Sequence, residues 1–386
     1  MSFSYTMYPS QIQPKLSNME GISSPAATAR LSVNLTALCT NYAEAMRRAA
    51  PASVAPVVKA DGYGLGMVRI AQKLAARGAN SFFVARLEEA ITLRPIVPNA
   101  RIFVFDGLML GAAPSYEAHA LIPVLNSVEE IAEYSAHARS TRAVLDAAIQ
   151  IDTGINRSGI SSEDVSEIAA NPASTFGGLN LALIMSHLAC ADEPGHALNL
   201  RQLERFRAAL SVLPSASATL AATAGIELGA DFLFDMVRPG LGLYGGNPNL
   251  KHSNPYSTVA TLSAKVLQLR VINKGDRVGY GAIFRAAKPS KLAVVPVGYA
   301  DGLIRAMGPK GYAAINGKRV PFAGRISMDL VVLDVTDIEE DSCQRGTEVE
   351  FFGKTISLEQ CALASGTINH EVLASLSRRA AREYSE

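Results

Sequence analysis

The amino-acid sequence predicts an α/β fold, with an N-terminal (β/α)8 TIM-type barrel followed by a C-terminal all-β domain. Its 386 residues exceed one ordinary domain of about 100 to 200 residues. From Arg30 to about Gly246, short apolar runs alternate with amphipathic stretches of helical period. After about Pro255 the helical stretches give way to closely spaced strand-like runs.

The barrel prediction rests on short apolar runs, each followed by a helical stretch such as TALCTNYAEAMRRAA or ALNLRQLERFRAAL. About eight such units over roughly 215 residues favour a closed barrel over an open doubly wound sheet, which usually has fewer units and is the alternative. The predicted strands are residues 31–34, 54–59, 81–85, 101–105, 121–125, 143–151, 181–186 and 219–222, with 236–237 as a further short run.

The C-terminal part is predicted to be all-β because it contains β-rich segments such as STVATLSAKVLQLRVINKGDRVGYGAIF, with Asn316-Gly317 typical of a tight hairpin turn. We place the barrel at residues 30–250 and the β domain at residues 251–386. Residues 1–29 are polar and interrupted by prolines, and we expect a loose extension without the apolar core of a signal peptide.

Composition narrows the classes of partner. A net charge of +1 with 18% charged residues gives no electrostatic reason to expect nucleic acid or an anionic membrane, so a small molecule is the expected partner. No window approaches the roughly 18 consecutive apolar residues of a membrane helix. The four cysteines lie far apart, without the spacing of a metal site, which indicates buried thiols in the reduced cytoplasm.

Polar residues follow several of the predicted barrel strands. In such a barrel the chemistry sits at the carboxyl ends of the strands, where the loops vary while the interior stays packed. Each residue alone has a structural explanation, but together they converge on one mouth. They are Lys59, Asp152, Arg157, His187, Thr223, Arg238 and Gly240.

Two glycine-rich segments indicate a bound anion. DGYGLG lacks the G-x-G-x-x-G spacing of a dinucleotide site, so its glycines are better explained by close backbone approach just after Lys59. RPGLGLYGG is suited to presenting backbone N–H groups to a phosphate. A buried lysine attacks carbonyls to form a Schiff base, and pyridoxal phosphate combines an aldehyde with a phosphate.

With these residues, the sequence resembles the alanine racemase family, fold-type III enzymes that use pyridoxal 5′-phosphate. The resemblance runs from about Arg30 to Arg379, and seven segments stand in the family's order. They are VVKADGYGLG, IDTGINRSG, SHLACAD, MVRPGLGLYG, RVGYGAIF, VPVGYADGL and GRISMDL.

The resemblance implies a two-base racemisation of L-alanine and D-alanine, which supplies D-alanine for peptidoglycan. Lys59 holds the cofactor and serves one face of the substrate Cα, while Tyr280 serves the other. Because a phenol is a poor base near neutrality, Tyr280 requires cationic or hydrogen-bonding help, which the family finds near His187. The family's β domain completes the partner's barrel mouth, so a homodimer with composite sites is implied.

The remaining roles follow from the same resemblance. Arg238 is expected opposite the pyridine nitrogen, to which a guanidinium donates without giving up its proton. Arg157 and the Met328 backbone match substrate-side positions, and Tyr299 and Asp301 match the entrance. The positions that match phosphate contacts are Tyr63, Thr223, Gly240 and Leu241.

Two residues depart from the family pattern. Gln150 stands where many members have a lysine, carbamylated in some of them, so we expect either a direct Gln150 hydrogen bond near Arg157 or a bound anion such as chloride. His370 stands where the family usually has a phosphate-contacting tyrosine, and an imidazole there adds a pH dependence.

These departures leave open a broader-specificity racemase acting on serine or basic amino acids. A non-catalytic pyridoxal-phosphate-binding protein on the same barrel lacks the β domain and the tyrosine of RVGYGAIF, both of which this sequence has. A decarboxylase with the same two domains explains neither that segment nor the arginine of MVRPG.

Overall fold

The computed structural model describes residues 28–386, and the predicted N-terminal extension lies almost wholly outside this range. The strands are β1 (Ala29–Asn34), β2 (Ser53–Val54), β3 (Ser81–Val84), β4 (Arg101–Val104), β5 (Ile122–Leu125), β6 (Leu145–Gln150), β7 (Leu179–Met185), β8 (Ser217–Ala222), β9 (Met236–Arg238), β10 (Ala260–Lys265), β11 (Gln268–Ile272), β12 (Arg277–Val278), β13 (Phe284–Arg285), β14 (Ser290–Val295), β15 (Tyr312–Ile315), β16 (Lys318–Pro321), β17 (Val331–Asp334), β18 (Glu348–Phe352) and β19 (Ala381–Ser385).

The helices follow the same chain order. They are α1 (Leu35–Ala49), α2 (Lys59–Tyr63), α3 (Met67–Ala75), α4 (Leu87–Leu93), α5 (Ala113–Ala118), α6 (Val128–Thr141), α7 (Ser162–Ala170), α8 (Pro172–Thr175), α9 (Ala197–Val212), α10 (Thr223–Ile226), α11 (Leu358–Ser365) and α12 (Asn369–Ala374). Short 3₁₀ turns lie at Ala230–Phe232, Leu241–Tyr244, Tyr280–Ala282, Tyr299–Asp301, Arg305–Met307 and Glu340–Ser342. Within residues 28–386, no helix has the length and apolar character needed to cross a membrane.

Eight parallel strands form the barrel in the order β2-β9-β8-β7-β6-β5-β4-β3. The segment after β2 closes the circle, since Val58 N–H donates to Phe83 O and Phe83 N–H donates to Pro56 O, both at 2.9 Å. Most side chains of these strands are buried, as expected for strands covered on both faces. The fold class predicted from the sequence is confirmed.

One strand assignment is wrong. Residues 31–34 form a strand, but β1 is not part of the barrel: it pairs antiparallel with β10 and parallel with β19. Leu31 and Val33 are buried and alternate with partly exposed Arg30 and Ser32, a pattern typical of a sheet with one solvated face. The short run at residues 236–237, extended by Arg238, supplies the eighth barrel strand as β9.

The C-terminal part is built from three sheets. A six-stranded sheet has the order β16-β15-β18-β10-β1-β19, a three-stranded sheet has the order β11-β14-β17, and β12 pairs with β13. Asn316 and Gly317 have φ values of 48° and 76° between β15 and β16, which confirms the predicted hairpin turn. Helices α11 and α12 pack together, and α12 contacts α2 at the barrel mouth.

The backbone directly after Lys59 forms a left-handed turn. Ala60, Asp61, Gly62 and Tyr63 have φ values of 54°, 52°, 63° and 56°. For a residue other than glycine this conformation costs about 1 to 2 kcal/mol. Side chains compensate, since Glu89 Oε1 accepts from Ala60 N–H at 2.6 Å and Asp61 Oδ1 accepts from Met67 N–H at 2.9 Å.

The last strand of the chain supports the other end of this turn. Arg382 donates two hydrogen bonds to the Gly64 carbonyl, at 2.6 and 3.1 Å. Tyr384 Oη donates to the Leu65 carbonyl at 2.9 Å. The β domain therefore holds the loop that carries Lys59 in its own chain.

Gly64→Ala should destabilise the chain more than Gly78→Ala. Gly64 has φ 79°, and an added Cβ would lie 2.5 Å from the Leu373 carbonyl oxygen of α12, whereas Gly78 has φ 94° with open space around its Cβ position. Both variants have backbone strain of about 1 to 3 kcal/mol, but only Gly64→Ala adds a clash with α12. The free energies of unfolding from urea denaturation measure the difference, and equal losses would contradict close packing of α12 here.

Candidate active site

Lys59 lies at the mouth of the barrel, where the chain leaves the closing segment after β2. Its side chain is half-buried, and Nζ is 5.6 Å from the centre of the Phe105 ring. Burial lowers the pKa of Lys59, the charge of Arg157 lowers it further, and Glu89 and Asp106 partly offset the shift. A larger share of the amine is therefore neutral near pH 7 than for an exposed lysine.

Arg238 is a fully buried cation at the end of β9, with 1% of its surface exposed. Nη1 donates to Thr219 Oγ1 at 2.6 Å, and Nη2 donates to the Ser186 carbonyl at 2.7 Å. Burial lowers the pKa of Arg238 to about 9, so the guanidinium remains charged at neutral pH. In the described part of the chain its partners are neutral groups, and Nε is left to donate to an electron-rich ligand atom.

His187 follows β7 and is surrounded by positive charge. Burial and, to a smaller extent, the charges of Arg238, Arg157, Lys59 and His370 together lower the pKa of His187 to about 3. His187 is consequently neutral at physiological pH, so any help that it gives to a neighbour is a hydrogen bond rather than a charge.

The groups predicted to contact a phosphate come together at the start of the 3₁₀ turn Leu241–Tyr244. Thr223 Oγ1 accepts from the N–H groups of Gly240 at 3.0 Å and Gly242 at 3.2 Å, which leaves the Thr223 hydroxyl proton to donate outward. A Cβ on Gly240 would lie 2.2 Å from Tyr63 Oη, so a side chain at Gly240 would displace that hydroxyl.

The Tyr63 ring is fixed by its neighbours. It stacks on the buried Tyr244 ring with centroids 4.5 Å apart, and Tyr244 Oη donates to the Val57 carbonyl at 2.8 Å. Burial raises the pKa of Tyr63, so its hydroxyl stays protonated and acts as a donor. His370, on α12, places its ring 6.0 Å from that of Tyr63 and remains partly open to solvent in the single chain. Partial desolvation by the walls of the mouth, together with the charge of Lys59, lowers the pKa of His370.

The loop after β6 presents Arg157 to solvent at the mouth. Asp152 Oδ1 accepts from three successive backbone N–H groups, those of residues 154 to 156, and so fixes the loop. Gln150 Nε2 donates to the Ser158 carbonyl at 2.9 Å and to Ser158 Oγ at 2.8 Å. The structure therefore shows a Gln150 hydrogen bond to the residue beside Arg157 rather than to the Arg157 side chain.

Two predicted site residues lie apart from this group within one chain. Tyr280, on the 3₁₀ turn between β12 and β13, is 73% exposed, and Met328 is 52% exposed. Gly281, next to Tyr280, lies against Arg325, which is three residues before Met328 in the chain, and the Ala300 N–H donates to the Met328 carbonyl at 3.1 Å. Tyr299, at the predicted entrance, is 41% exposed, and its N–H donates to the carbonyl of Ser327, the residue before Met328.

Sequence reasoning missed Glu89 and Phe105. Glu89 Oε1 caps Ala60, while its Oε2 accepts from Ala85 N–H at 2.8 Å and so joins two loops of the mouth. The signal for Glu89 is its position three residues after Arg86 at the start of a helix, as in a capping box. The contact between Lys59 and Phe105 has no local signal, because it depends on neighbouring strands.

The arrangement favours an anionic ligand. Lys59, Arg157 and Arg238 converge on one mouth with hydroxyl donors and no directly paired carboxylate in the described residues. In residues 28–386 no group of three or more His, Cys, Asp or Glu side chains is arranged to hold a metal ion. The site therefore provides a nucleophilic amine beside an anion cradle.

Comparison with known proteins agrees with this description. The family model for the alanine racemase N-terminal domain matches residues 33–248, and that for the alanine racemase C-terminal domain matches residues 259–384. The chain belongs to the alanine racemase family.

Curated relatives and solved structures match over nearly the whole chain. A catabolic alanine racemase of Agrobacterium fabrum is 43% identical over 359 residues, covering 93% of this chain and 92% of the relative. The alanine racemase of Rhizobium meliloti is 40% identical, covering 93% and 97%. The alanine racemase of Bartonella henselae, solved with covalently bound pyridoxal phosphate, has a TM-score of 0.90 and 38% identity, covering 93% of this chain and all of that one.

Acidification from about pH 7 to about pH 5 should lower the free energy of unfolding of the wild-type chain more than that of the His187→Gln variant. The pKa of His187 falls from 6.5 to about 3 on folding, so between these values the unfolded chain binds a proton that the folded chain does not. Stability is therefore lost as the pH falls through this window, and the glutamine variant lacks that contribution. Urea denaturation at about pH 7 and about pH 5 measures the two losses; equal losses would mean that His187 is hydrated.

Proposed function

We propose that this chain interconverts L-alanine and D-alanine with pyridoxal 5′-phosphate as cofactor. The observation that carries the proposal is the position of Lys59, a half-buried amine with lowered pKa beside the fully buried Arg238 and a cradle of hydroxyl and backbone groups. Membership of the alanine racemase family supports the same reaction.

The residues present fit this cofactor. The space that a Cβ on Gly240 would fill holds the Tyr63 hydroxyl, and Thr223 keeps a proton to donate, so both suit a phosphate. We assign the phosphate to Tyr63, Thr223 and the backbone of Gly240 and Leu241, with His370 beside it. Arg238 Nε would donate to the ring nitrogen. His187 would lie next to the bound cofactor. When bound, pyridoxal phosphate supplies an aldehyde for Lys59 and a ring that accepts the electron pair of a broken Cα–H bond.

Lys59 and Tyr280 would move the proton. Lys59 Nζ takes the Cα proton from one face or returns it there, which its lowered pKa favours because the amine is more readily neutral. Tyr280 Oη acts at the opposite face. Inversion requires such an opposed pair, since one group alone would return the proton to the side from which it came.

Arg238 would limit side reactions at the site, and Arg157 would orient the substrate. A charged guanidinium donates a hydrogen bond to the ring nitrogen without protonating it, so the ring withdraws electrons less strongly and side reactions such as transamination are restrained. Arg157 and the Met328 backbone would orient the substrate at the mouth. Neutral His187 lies beside both arginines, where it is suited to hydrogen-bond rather than to add charge.

We infer a homodimer in which each mouth receives Tyr280 and Met328 from the partner subunit. What supports this is the exposed surface around them, which also carries apolar Ile283 and Leu330, 43% and 39% exposed. An exposed apolar patch of this kind is typical of an interaction surface.

We also propose that the chain acts in the cytoplasm and that its D-alanine enters peptidoglycan. The four cysteines are unpaired, as in a reducing compartment. Restored growth of a bacterium without its own alanine racemase, on medium without D-alanine, tests this role. Failure to grow despite racemase activity in the extract would contradict a biosynthetic contribution. Broader specificity is not favoured by the family's named members.

Dimers that combine Lys59→Ala with Tyr280→Phe should regain activity. Each variant alone should lower kcat by about 10² to 10⁴-fold, because each lacks one of the two bases. A mixed dimer purified through two different tags has one intact site, so we expect roughly half of the wild-type racemisation rate, measured by optical rotation of L-alanine.

The matched control for Tyr280→Phe is Tyr312→Phe, which alters another exposed tyrosine of the β domain and should leave kcat unchanged. If mixed dimers stay as inactive as the single variants, both bases come from one chain and the composite-site proposal fails.

His370→Tyr should change the acid side of the pH–rate profile. The pKa of His370 lies below its ordinary value, so its protonation falls on the acid side of neutrality and places a second positive charge beside Lys59. A tyrosine does not titrate there, so the decline of kcat/KM on acidification should move to lower pH. An unchanged profile, with both proteins fully loaded with cofactor, would show that His370 does not affect the reacting groups.

A further inference from the structure

Three phenylalanine rings form a continuous stack at the wall of the mouth. Phe103 and Phe83 have ring centroids 4.7 Å apart at 16°, and Phe83 and Phe105 have centroids 5.0 Å apart at 19°. Phe83 and Phe103 face each other as register partners on β3 and β4, and Phe105 follows β4. The first two rings are fully buried, whereas Phe105 is partly exposed at the mouth.

Each ring of this stack carries one cation. Lys59 Nζ lies over Phe105 at 5.6 Å, Arg238 Cζ over Phe83 at 5.9 Å, and Arg101 Cζ over Phe103 at 5.5 Å. All three distances are within the roughly 6 Å at which the negative face of an aromatic ring attracts a cation. Two of the cations, Lys59 and Arg238, belong to the proposed cofactor site.

The aromatic contact matters for Lys59 because its acidic neighbours are engaged elsewhere. Glu89 accepts hydrogen bonds from backbone N–H groups through both of its oxygens. Asp106 lies 3.9 Å from Arg86 Nε. The charge of Arg157 repels the ammonium group of Lys59. The ring face of Phe105 contacts the same group directly and attracts it.

We propose that Phe105 is a positioning residue for Lys59, whose ring face stabilises the ammonium form and holds Nζ at the mouth. The proposal deepens the proposed function and rests on it only for the role of Lys59 as the reacting amine. A base must hold the proton that it removes, and Phe105 offsets part of the destabilisation of the ammonium form by burial and by the charge of Arg157.

The test is the pKa of the Lys59 amine in the full-length chain freed of cofactor. Competitive acetylation with acetic anhydride over a range of pH, read by mass spectrometry, gives that value without any amino-acid substrate. Phe105→Leu should lower the pKa of Lys59 by roughly half a unit to one and a half units, the range expected for a lost cation–ring contact. Phe105→Tyr, which keeps the ring face, should match the wild type.

The sign of the shift separates this proposal from simple loosening. Water entering a space left by Phe105 would favour the ammonium form and raise the pKa of Lys59. Phe103→Leu removes a ring of the same stack that does not contact Lys59, and it should leave that pKa unchanged. Phe105→Met is a second non-aromatic variant, should the leucine variant fold poorly by circular dichroism.

An unchanged or raised pKa in the non-aromatic Phe105 variants overturns the proposal, and so does an equal decrease in Phe103→Leu. Because acetylation is independent of turnover, the expected shift in a chain that does not racemise alanine would leave this inference standing while the proposed function failed. Racemisation of alanine without the shift in the pKa of Lys59 would support the proposed function and overturn this inference.

Discussion

The left-handed turn after Lys59 is the constraint on which the site depends. Four consecutive residues take a left-handed backbone conformation, and three of them, Ala60, Asp61 and Tyr63, are not glycine and are strained by it. Distant groups hold it: Glu89 from the next barrel loop, and Arg382 and Tyr384 from the last strand. The direction in which Lys59 and Tyr63 leave the barrel is therefore set by the whole chain.

Around this turn the mouth concentrates positive charge without neutralising it. The arginine at the end of β9 gives its hydrogen bonds to neutral oxygens, and His187 remains uncharged because burial and then the surrounding cations lower its pKa. Such a site is costly unless a negative ligand enters, so the unbalanced charge is itself a source of affinity for one. The aromatic ring faces stabilise part of this positive charge. A carboxylate would also do so, but it would compete with the anionic ligand for the cations.

Much of this was predictable from the sequence. The barrel follows from alternating apolar runs and helical stretches, and Lys59, His187, Thr223 and Arg238 were found because they follow strands. The pairing of β1 was not, since its partners lie more than 200 residues further along the chain. The phenylalanine stack could not be predicted for a similar reason. It depends on the register between β3 and β4, which no residue pattern within either strand specifies.

The place of β1 makes the two parts of the chain inseparable. A fragment beginning after the barrel would lack a strand from the interior of its largest sheet, leaving the edges of β10 and β19 unpaired, and unpaired edges attract other chains. During synthesis β1 must wait for its first partner until the barrel and β10 have left the ribosome, and its other edge stays unpaired until β19 follows. The six-stranded sheet is therefore complete only when β19 has paired, and β19 carries the residues that secure the loop of the reactive lysine.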